Sequence, residues 1–288
     1  MNVHVSTFYE LVKQEWNYPD IGKNSRKTQM LLCSPDADVT GGKIQICDID
    51  KLAAYPYIKS VTISGLNQET FEYFIHTYGK QLRFIEFFKN KAVEDWSLLG
   101  TLSELEGVEW FHNQRITQLW DMSKNYALKA IELNDFTRLH DISGIERAPA
   151  LEWFGFGDAV WSTSELESLK PLVNTNIKRI NFSGKKIKDM DISFIPNMKK
   201  LEIFDFPTNH FTTEQVAWLK AKCPELKGFA LKPYREIFLW NETTNKSDKP
   251  AVIIVGKRKP MLAIEGNEKK IENYLAKFEM LVQMYQNE

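Results

Sequence analysis

Three glutamates recur every 23 residues in the first half of this 288-residue chain, at Glu86, Glu109 and Glu132. If the segments that carry them are neighbouring parallel strands, the three carboxylates stand in one row about 5 Å apart. Like charges directly beside one another cost stability. The row therefore favours a cationic partner, most simply a protein surface or segment rich in lysine and arginine.

Aromatic rings and further carboxylates surround this row in the sequence. Residues two positions before and after each glutamate share its strand face, which we expect to be exposed to solvent. Exposed rings beside carboxylates are typical of a surface that binds a basic or amine-bearing partner. The predicted partner-binding residues are Phe84, Glu86, Phe88, Glu109, Phe111, Glu132, Asp135, Trp153, Asp158 and Asp205. The alternative is that the glutamates are ordinary solvated strand residues and the phenylalanines pack on each other or beneath a terminal segment.

Motifs of catalytic and metal sites are absent from the sequence. The five histidines show no H-x-x-x-H spacing and no pairing with cysteine of the metal-site type. There is neither a glycine-rich phosphate loop nor a G-x-S-x-G motif. His112 stands at a predicted strand end beside the glutamates, where a surface or turn position is favoured over catalysis. We predict a protein that is not an enzyme and that uses no metal or cofactor.

Eight copies of the spacing apolar-x-x-apolar-x-apolar run through the chain and position these residues. They begin at Ile58, Leu82, Leu105, Leu128, Leu151, Ile177, Leu201 and Leu226, which are 24, 23, 23, 23, 26, 24 and 25 residues apart. A fixed period in this range indicates a solenoid. Parallel stacking of the copies gives one sheet and one shared core. Asn90, Asn113 and Asn209 follow three of the strands, where a buried amide can satisfy backbone groups of neighbouring coils.

The repeats resemble the leucine-rich repeat family, whose pattern is L-x-x-L-x-L-x-x-N, over roughly residues 44–234. Other apolar residues replace many of the leucines, and five copies lack the asparagine. The resemblance implies an α/β fold, a leucine-rich-repeat solenoid with a curved parallel sheet and with helices and 3₁₀ turns on its outer side. It also implies protein recognition on the concave sheet, and it transfers no catalytic residues to this chain.

Outer helices are predicted where a capping residue precedes early acids and helical periodicity, and they begin at Asn67, Ser162 and Thr212. The 23-residue copies are too short for a full helix and predict single helical or 3₁₀ turns. Because bacterial members of the family show this short pattern, a bacterial origin is favoured.

Both ends of the chain are predicted to cap the solenoid. Residues 1–43 form an N-terminal cap with a helix over Thr7–Trp16, and residues 44–234 form the solenoid. Residues 235–288 form a β-β-β-α cap, or a small module with its own partner, with strands at 236–240, 251–255 and 261–265. Turns are expected at 245–249 and 256–260, and an amphipathic helix over Glu268–Gln286.

The amino-acid composition does not indicate a nucleic-acid or membrane partner. The formal charge of −1 gives no general attraction to nucleic acid or acidic lipid, and the lysines around residues 178–200 lack interleaved aromatics. The first residues lack the apolar run of a signal peptide, and no apolar run is long enough for a membrane span. Free thiols at Cys33, Cys47 and Cys223 are favoured over a Cys33–Cys47 pair. A cytoplasmic protein is expected.

The favoured function is a non-enzymatic protein-binding scaffold, either an adaptor or an immunity-like protein, that binds a basic partner on an acidic and aromatic concave sheet. Two other classes stay open. One is a receptor for carbohydrate or another small ligand that stacks on Phe88, Phe111 and Trp153. The other is a structural subunit of a larger assembly. The sequence does not determine the oligomeric state.

Overall fold

The computed structural model describes residues 29–32, 43–157, 160 and 163–288. The chain forms two compact units, Met1–Asp189 and Met190–Glu288. This division falls inside the predicted solenoid span, and the predicted domains 1–43, 44–234 and 235–288 stay predictions. The predicted helix over Thr7–Trp16 lies outside the described residues.

A parallel sheet dominates the first unit. The strands of this unit are β1 (Gln29–Leu32), β2 (Ser60–Ser64), β3 (Phe84–Phe88), β4 (Gly107–Asn113), β5 (Ala130–Phe136), β6 (Trp153–Gly157), β7 (Glu165–Leu166), β8 (Arg179–Phe182) and β9 (Lys186–Ile187). Strands β1 to β6 and β8 follow one another in a single sheet, and every neighbouring pair is parallel. β7 and β9 form a separate parallel pair. The architecture is therefore mixed α/β, with a seven-stranded parallel sheet.

The apolar repeat positions fill the core side of this sheet. In the first six copies every one of these residues is at most 2 % exposed. Equivalent positions are direct partners on neighbouring strands, as Phe87 is of Trp110. These two rings also stack, with their centroids 4.2 Å apart. The inward orientation predicted from the spacing is confirmed for these copies. Full burial of one such side chain contributes about 1.5–3 kcal/mol to the stability of the folded state.

Buried asparagines close the turns that follow β3 and β4. Asn113 Nδ2 donates to the carbonyl oxygens of Asn90 and Val93, at 3.0 and 2.9 Å. Its Oδ1 accepts from the backbone N–H groups of Arg115 and Ile116, at 2.9 and 2.8 Å. The Asn90 amide also bonds two backbone groups, one through its nitrogen and one through its oxygen, and both belong to the preceding copy. The predicted function of these two amides in joining neighbouring copies is confirmed.

Short helices return the chain between the strands of the first unit. The α-helices are α1 (Ile46–Ile49) and α2 (Gln68–Tyr78), and the 3₁₀ helices are Asp50–Ala54, Gly79–Gln81, Ser97–Thr101, Ile145–Arg147 and Lys170–Asn174. The Asn67 side chain accepts from Thr70 N at 2.9 Å and caps α2, as predicted. The 3₁₀ turns predicted for the 23-residue copies are confirmed at Ser97–Thr101 and Ile145–Arg147, whereas the return between β4 and β5 contains turns without a 3₁₀ helix.

The outer helix predicted to begin at Ser162 is wrong. The described part of this segment contains the two-residue strand β7, which pairs with β9 of the following copy. Leu166 and Leu169 are both fully buried. Pairing with the next copy and burial of these leucines therefore outweigh the local helical pattern.

Three strands and a long helix build much of the second unit. Its elements are β10 (Ile203–Asp205), the 3₁₀ helix Ile195–Asn197, α3 (Thr213–Lys222), β11 (Tyr234–Asn241), β12 (Lys246–Ile254), β13 (Met261–Ala263) and α4 (Glu268–Gln286). The Thr212 side chain caps α3 as predicted. β11, β12 and β13 form an antiparallel sheet whose buried Val252 and Leu262 pack against Ile271 and Tyr274 of α4. The predicted β-β-β-α order is confirmed, although the first turn lies at 242–245 rather than 245–249.

The eighth predicted copy does not form a strand. Only an isolated bridge joins Lys227 to Ile203, and Phe229 is half-buried. A Cβ at Gly228 would lie 2.2 Å from the carbonyl oxygen of Phe204, so the two backbones approach too closely for another side chain. Asn209 is exposed, so its predicted buried amide is wrong.

None of the helices in the described residues combines the length and the apolar character that crossing a bilayer requires.

Candidate functional site

The parallel register brings the three glutamates together. Glu86 on β3 is the direct partner of Glu109 on β4, and Glu109 is the direct partner of Glu132 on β5. Thr62 precedes them on β2, and Gly155 follows on β6. Neighbouring strands are about 4.8 Å apart, so the row predicted from the spacing is confirmed. We call Glu86, Glu109 and Glu132 the glutamate row.

The predicted solvent exposure of this row is wrong. Glu109 and Glu132 are 9 % and 3 % exposed, and Glu86 is half-buried. A Cβ at Gly155 would lie 2.9 Å from Glu132 Cγ, so the glutamate side chain lies across the neighbouring strand instead of extending into solvent.

Two of the four predicted rings are buried, and two remain accessible. Phe84 and Trp153 are only 2 % and 1 % exposed, so their predicted exposure is wrong. The guanidinium of Arg179, on β8, lies 4.6 Å from the centroid of the Trp153 ring and covers it. Phe88 and Phe111 are half-buried and stack, with centroids 5.4 Å apart and planes inclined by 18°. The accessible aromatic surface is therefore this stacked pair.

The predicted aspartates do not add acidity to this face. Asp135 is completely buried, and its Oδ2 lies 2.8 Å from Nδ1 of His112. Asp205 belongs to the second unit, is 8 % exposed and accepts from the backbone N–H of Phe229 at 3.1 Å. Asp158 lies outside the described residues. The surface contribution predicted for Asp135 and Asp205 is wrong, because both carboxylates bond inside the protein.

The His112–Asp135 pair was not predicted. Lys89, His112 and Asp135 occupy equivalent positions of successive copies and have φ values of 55°, 65° and 59°. Each lies 23 residues after the one before it, and this spacing was the sequence signal that could have predicted their proximity. A histidine–aspartate pair acts as a general base when the second ring nitrogen faces a nucleophile or an open site. Here the residue His112 is only 7 % exposed, and its Nε2 lies 3.5 Å from Gln114 Nε2. The pair therefore joins the ends of β4 and β5.

Burial is the main influence on the acidity of Glu86. It raises the pKa of this carboxyl group, because the charged form loses hydration. Thr62 Oγ1 donates to Glu86 Oε2 at 2.7 Å and acts in the opposite direction, but the pKa stays above its ordinary value. A cation placed beside this carboxyl group would favour its charged form.

The arrangement offers carboxylates and rings, without the donor set of a metal centre. Among the described residues, no group of three or more histidine, cysteine, aspartate or glutamate side chains could hold a metal ion. In comparisons with known proteins, neither a protein-family model nor a curated protein matches the chain. The interpretation of the site therefore depends on its own geometry.

Proposed function

We propose that this protein is a leucine-rich-repeat solenoid that binds another protein without catalysing a reaction. The binding surface is the sheet face that carries the glutamate row, and the partner presents lysine or arginine there. One observation carries the proposal. Three glutamates lie directly opposite one another on adjacent strands, beside the stacked and half-buried rings of Phe88 and Phe111.

The repeat geometry supports the solenoid part of the proposal. Each copy of 23 to 26 residues in the first unit contributes one strand to the parallel sheet, and equivalent residues of successive copies are direct partners. Asn90 and Asn113 bond backbone groups of adjacent copies, as the asparagine of the leucine-rich repeat pattern would. A cytoplasmic location belongs to the proposal because Cys47 and Cys223 are free thiols.

The electrostatics of the row support a cationic partner. Neighbouring carboxyl groups with little access to water are stabilised in their charged form by an ammonium or guanidinium group. The stacked rings provide an apolar surface for the stem of the same side chain, and an aromatic face attracts its charge. Lys89 Nζ already lies 4.9 Å from the centroid of the Phe88 ring, so a cation is compatible with this edge of the pair.

Affinity purification from the native source tests the proposal. The bait variants are Glu86→Lys and Phe111→Ser, which alter accessible residues of the proposed surface. Glu104→Lys is the matched control, because Glu104 is an exposed acid outside the row. The partner should be lost with the first two baits and retained with the control. Recovery of the same proteins with every bait would refute the proposed surface.

A further inference from the structure

An open groove in the second unit has a volume of about 270 Å³. The segment 190–193 forms one wall, α3 forms the second, and the last turn of α4 forms the third. Trp218 and Tyr285 contribute two aromatic rings to its lining. Asp191 and Glu214 contribute two carboxylates, and among the described residues no lysine, arginine or histidine lines the groove. The volume is smaller than the roughly 300–1,000 Å³ of sites for drug-sized ligands, so the groove suits a group of a few heavy atoms.

Hydrogen bonds between the walls hold the groove in place. Gln215 Nε2 donates to the carbonyl oxygen of Met190 at 2.8 Å and links α3 to the segment 190–193. Lys222 Nζ donates to the carbonyl oxygen of Tyr285 at 2.7 Å and links α3 to the end of α4. The groove is therefore formed before any ligand binds, as is usual for small-molecule sites.

The two rings of the groove are accessible to a cation. Trp218 and Tyr285 are half-buried. Two other rings of this unit, those of Phe229 and Tyr274, each have a cation of the protein at 5.1 and 5.5 Å from the ring centroid. Within the described part of the chain, no such cation lies over either ring of the groove. An aromatic ring attracts a cation within about 6 Å of its centroid, so these two rings can still receive one.

The two carboxylates supply negative charge at the same place. Asp191 Oδ1 accepts from the backbone N–H of Ser193 at 2.8 Å. Glu214 accepts from its own backbone N–H, which lowers the pKa of its carboxyl group, and Lys277 acts in the same direction. Lys277 Nζ lies 3.5 Å from Glu214 Oε1, but both side chains are exposed, so this ion pair is weak. The groove therefore combines charged carboxylates with accessible rings.

An anion matches this groove less well, although α3 begins beside it. Gln215 N–H donates to Thr212 Oγ1 at 3.1 Å, and Glu214 N–H bonds its own carboxylate. These N–H groups at the start of α3 are therefore already used by the protein. Lys222 and Lys277 lie beside the groove without lining it. The chemistry of the lining favours a cation.

We propose that this groove binds a trimethylammonium group. Such a group carries a positive charge on an apolar surface of methyl groups, and proteins recognise it with aromatic side chains. Met190 and Ile192 add apolar side chains to the lining, which suits the methyl groups. The group belongs to a small molecule of the choline type or to a trimethylated lysine side chain. The groove lies in the second unit, so this inference goes beyond the protein-binding surface proposed for the first unit and does not depend on it.

Isothermal titration calorimetry with the full chain tests the site. Choline represents the small molecule, and N-acetyl-trimethyllysine methylamide represents the modified side chain. Dimethylbutanol, the uncharged isostere of choline, has its shape without its charge, and ethanolamine has the charge without the methyl groups. Both should bind about tenfold or more weakly than choline, and N-acetyl-lysine methylamide should bind weaker than its trimethylated form to the same extent. Whichever trimethylammonium ligand binds more tightly identifies the source of the group.

Three results would overturn the inference. Absence of binding of both trimethylammonium ligands at millimolar concentration would show that the groove holds only solvent. Equal affinity for choline and dimethylbutanol would show that the charge is not recognised. Equal affinity for choline and ethanolamine would show that the methyl groups are not recognised.

A pair of tryptophan substitutions tests the contribution of the ring. Trp218→Leu removes the ring and keeps an apolar side chain, so affinity for the better ligand should fall about tenfold. Trp240→Leu is the matched control, because Trp240 on β11 is 58 % exposed and does not line the groove. Its affinity should equal that of wild type. Melting temperatures verify folding, and equal affinities of wild type and a folded Trp218→Leu variant would refute the assignment.

A conservative acid substitution tests the charge independently of the ring. Asp191→Asn keeps an oxygen that accepts from Ser193 N–H but removes the negative charge, so affinity should fall roughly threefold. Asp248→Asn, at an exposed acid on β12, is the control and should bind like wild type. The same affinity in Asp191→Asn and Asp248→Asn would show that the charge of Asp191 does not hold the ligand and would contradict the proposal.

Discussion

Glu86 combines burial with a single strong hydrogen bond inside a row of acids. Burial raises the pKa of its carboxyl group, and the bond from Thr62 opposes this rise only in part. Between the pKa of the unfolded chain and the higher pKa of the folded state, the folded protein binds more protons. The free energy of unfolding therefore falls as the pH rises through this interval.

The substitution Glu86→Gln should remove this contribution to the pH dependence. Glutamine keeps an oxygen that accepts from Thr62 but does not ionise, so the variant should gain stability relative to wild type as the pH rises above the unfolded pKa. Urea unfolding at a series of pH values measures the difference. Glu104→Gln, at an exposed acid, is the control and should follow wild type. An identical pH dependence in wild type and Glu86→Gln would contradict the burial argument.

Burial also separates residues that occupy the same repeat position. Leu128 and Leu201 each begin a copy, but Leu128 is completely buried and Leu201 is half-buried. Leu128→Ala should lower the free energy of unfolding of its unit by about 2–5 kcal/mol, because it leaves a cavity in a packed core. Leu201→Ala should cost less than half as much in the second unit. Chemical denaturation measures both, and equal losses would show that repeat position rather than burial governs the cost.

Among the elements, the turns after β3 and β4 connect one copy to the next through side-chain amides. Asn113 alone satisfies four backbone groups, two with its nitrogen and two with its oxygen. A buried backbone group without a partner is costly, so these turns should be sensitive to loss of the amides. The strands alone do not hold the copies together.

The substitution Asn113→Ala should destabilise the first unit by roughly 3 kcal/mol, because several buried backbone groups lose their partners together. The control is Asn209→Ala, at the same repeat position but exposed, which should change stability by no more than about 0.5 kcal/mol. Thermal and urea unfolding provide the comparison. A negligible effect at Asn113 would mean that water replaces the amide, and the proposed link between copies would be wrong.

For the whole molecule, the near-zero net charge means that recognition depends on local charge. The formal net charge is −1, so the chain has little long-range attraction for a basic protein. The proposed surface instead concentrates its carboxyl groups in one row beside the Phe88–Phe111 pair. Trp153 is too buried to serve as a stacking platform, which weakens the carbohydrate-binding alternative.

Partner binding should therefore depend strongly on salt. Raising the ionic strength from about 0.05 to 0.5 M should weaken binding of a lysine- or arginine-rich partner by roughly tenfold, since screening shortens the reach of the carboxylates. Binding kinetics by surface plasmon resonance, with the captured partner, measure this change. Glu104→Lys should keep the wild-type salt dependence, while Glu86→Lys should reduce it. Affinity that does not vary with salt would instead favour apolar or stacking recognition.

The sequence was sufficient to predict features that depend on regular spacing. The apolar triplets determined which side of each strand is buried, and the 23-residue interval placed Glu86, Glu109 and Glu132 in register. The caps of α2 and α3 were also predicted, because capping depends on residues three positions apart. Strand alternation and helix capping depend on residues close together in the chain, so they can be predicted from a single sequence.

Exposure and pairing between copies were decided only by the tertiary structure. Phe84 and Trp153 have outward-facing strand positions, yet both are buried, and the Arg179 guanidinium from the neighbouring strand covers Trp153. The segment after Ser162 has a helical pattern but pairs as β7, and Asp135 bonds His112 instead of facing solvent. Burial and the choice of hydrogen-bond partner depend on the size and position of side chains that are distant in sequence. The spacing of residues along one strand does not predict these neighbours.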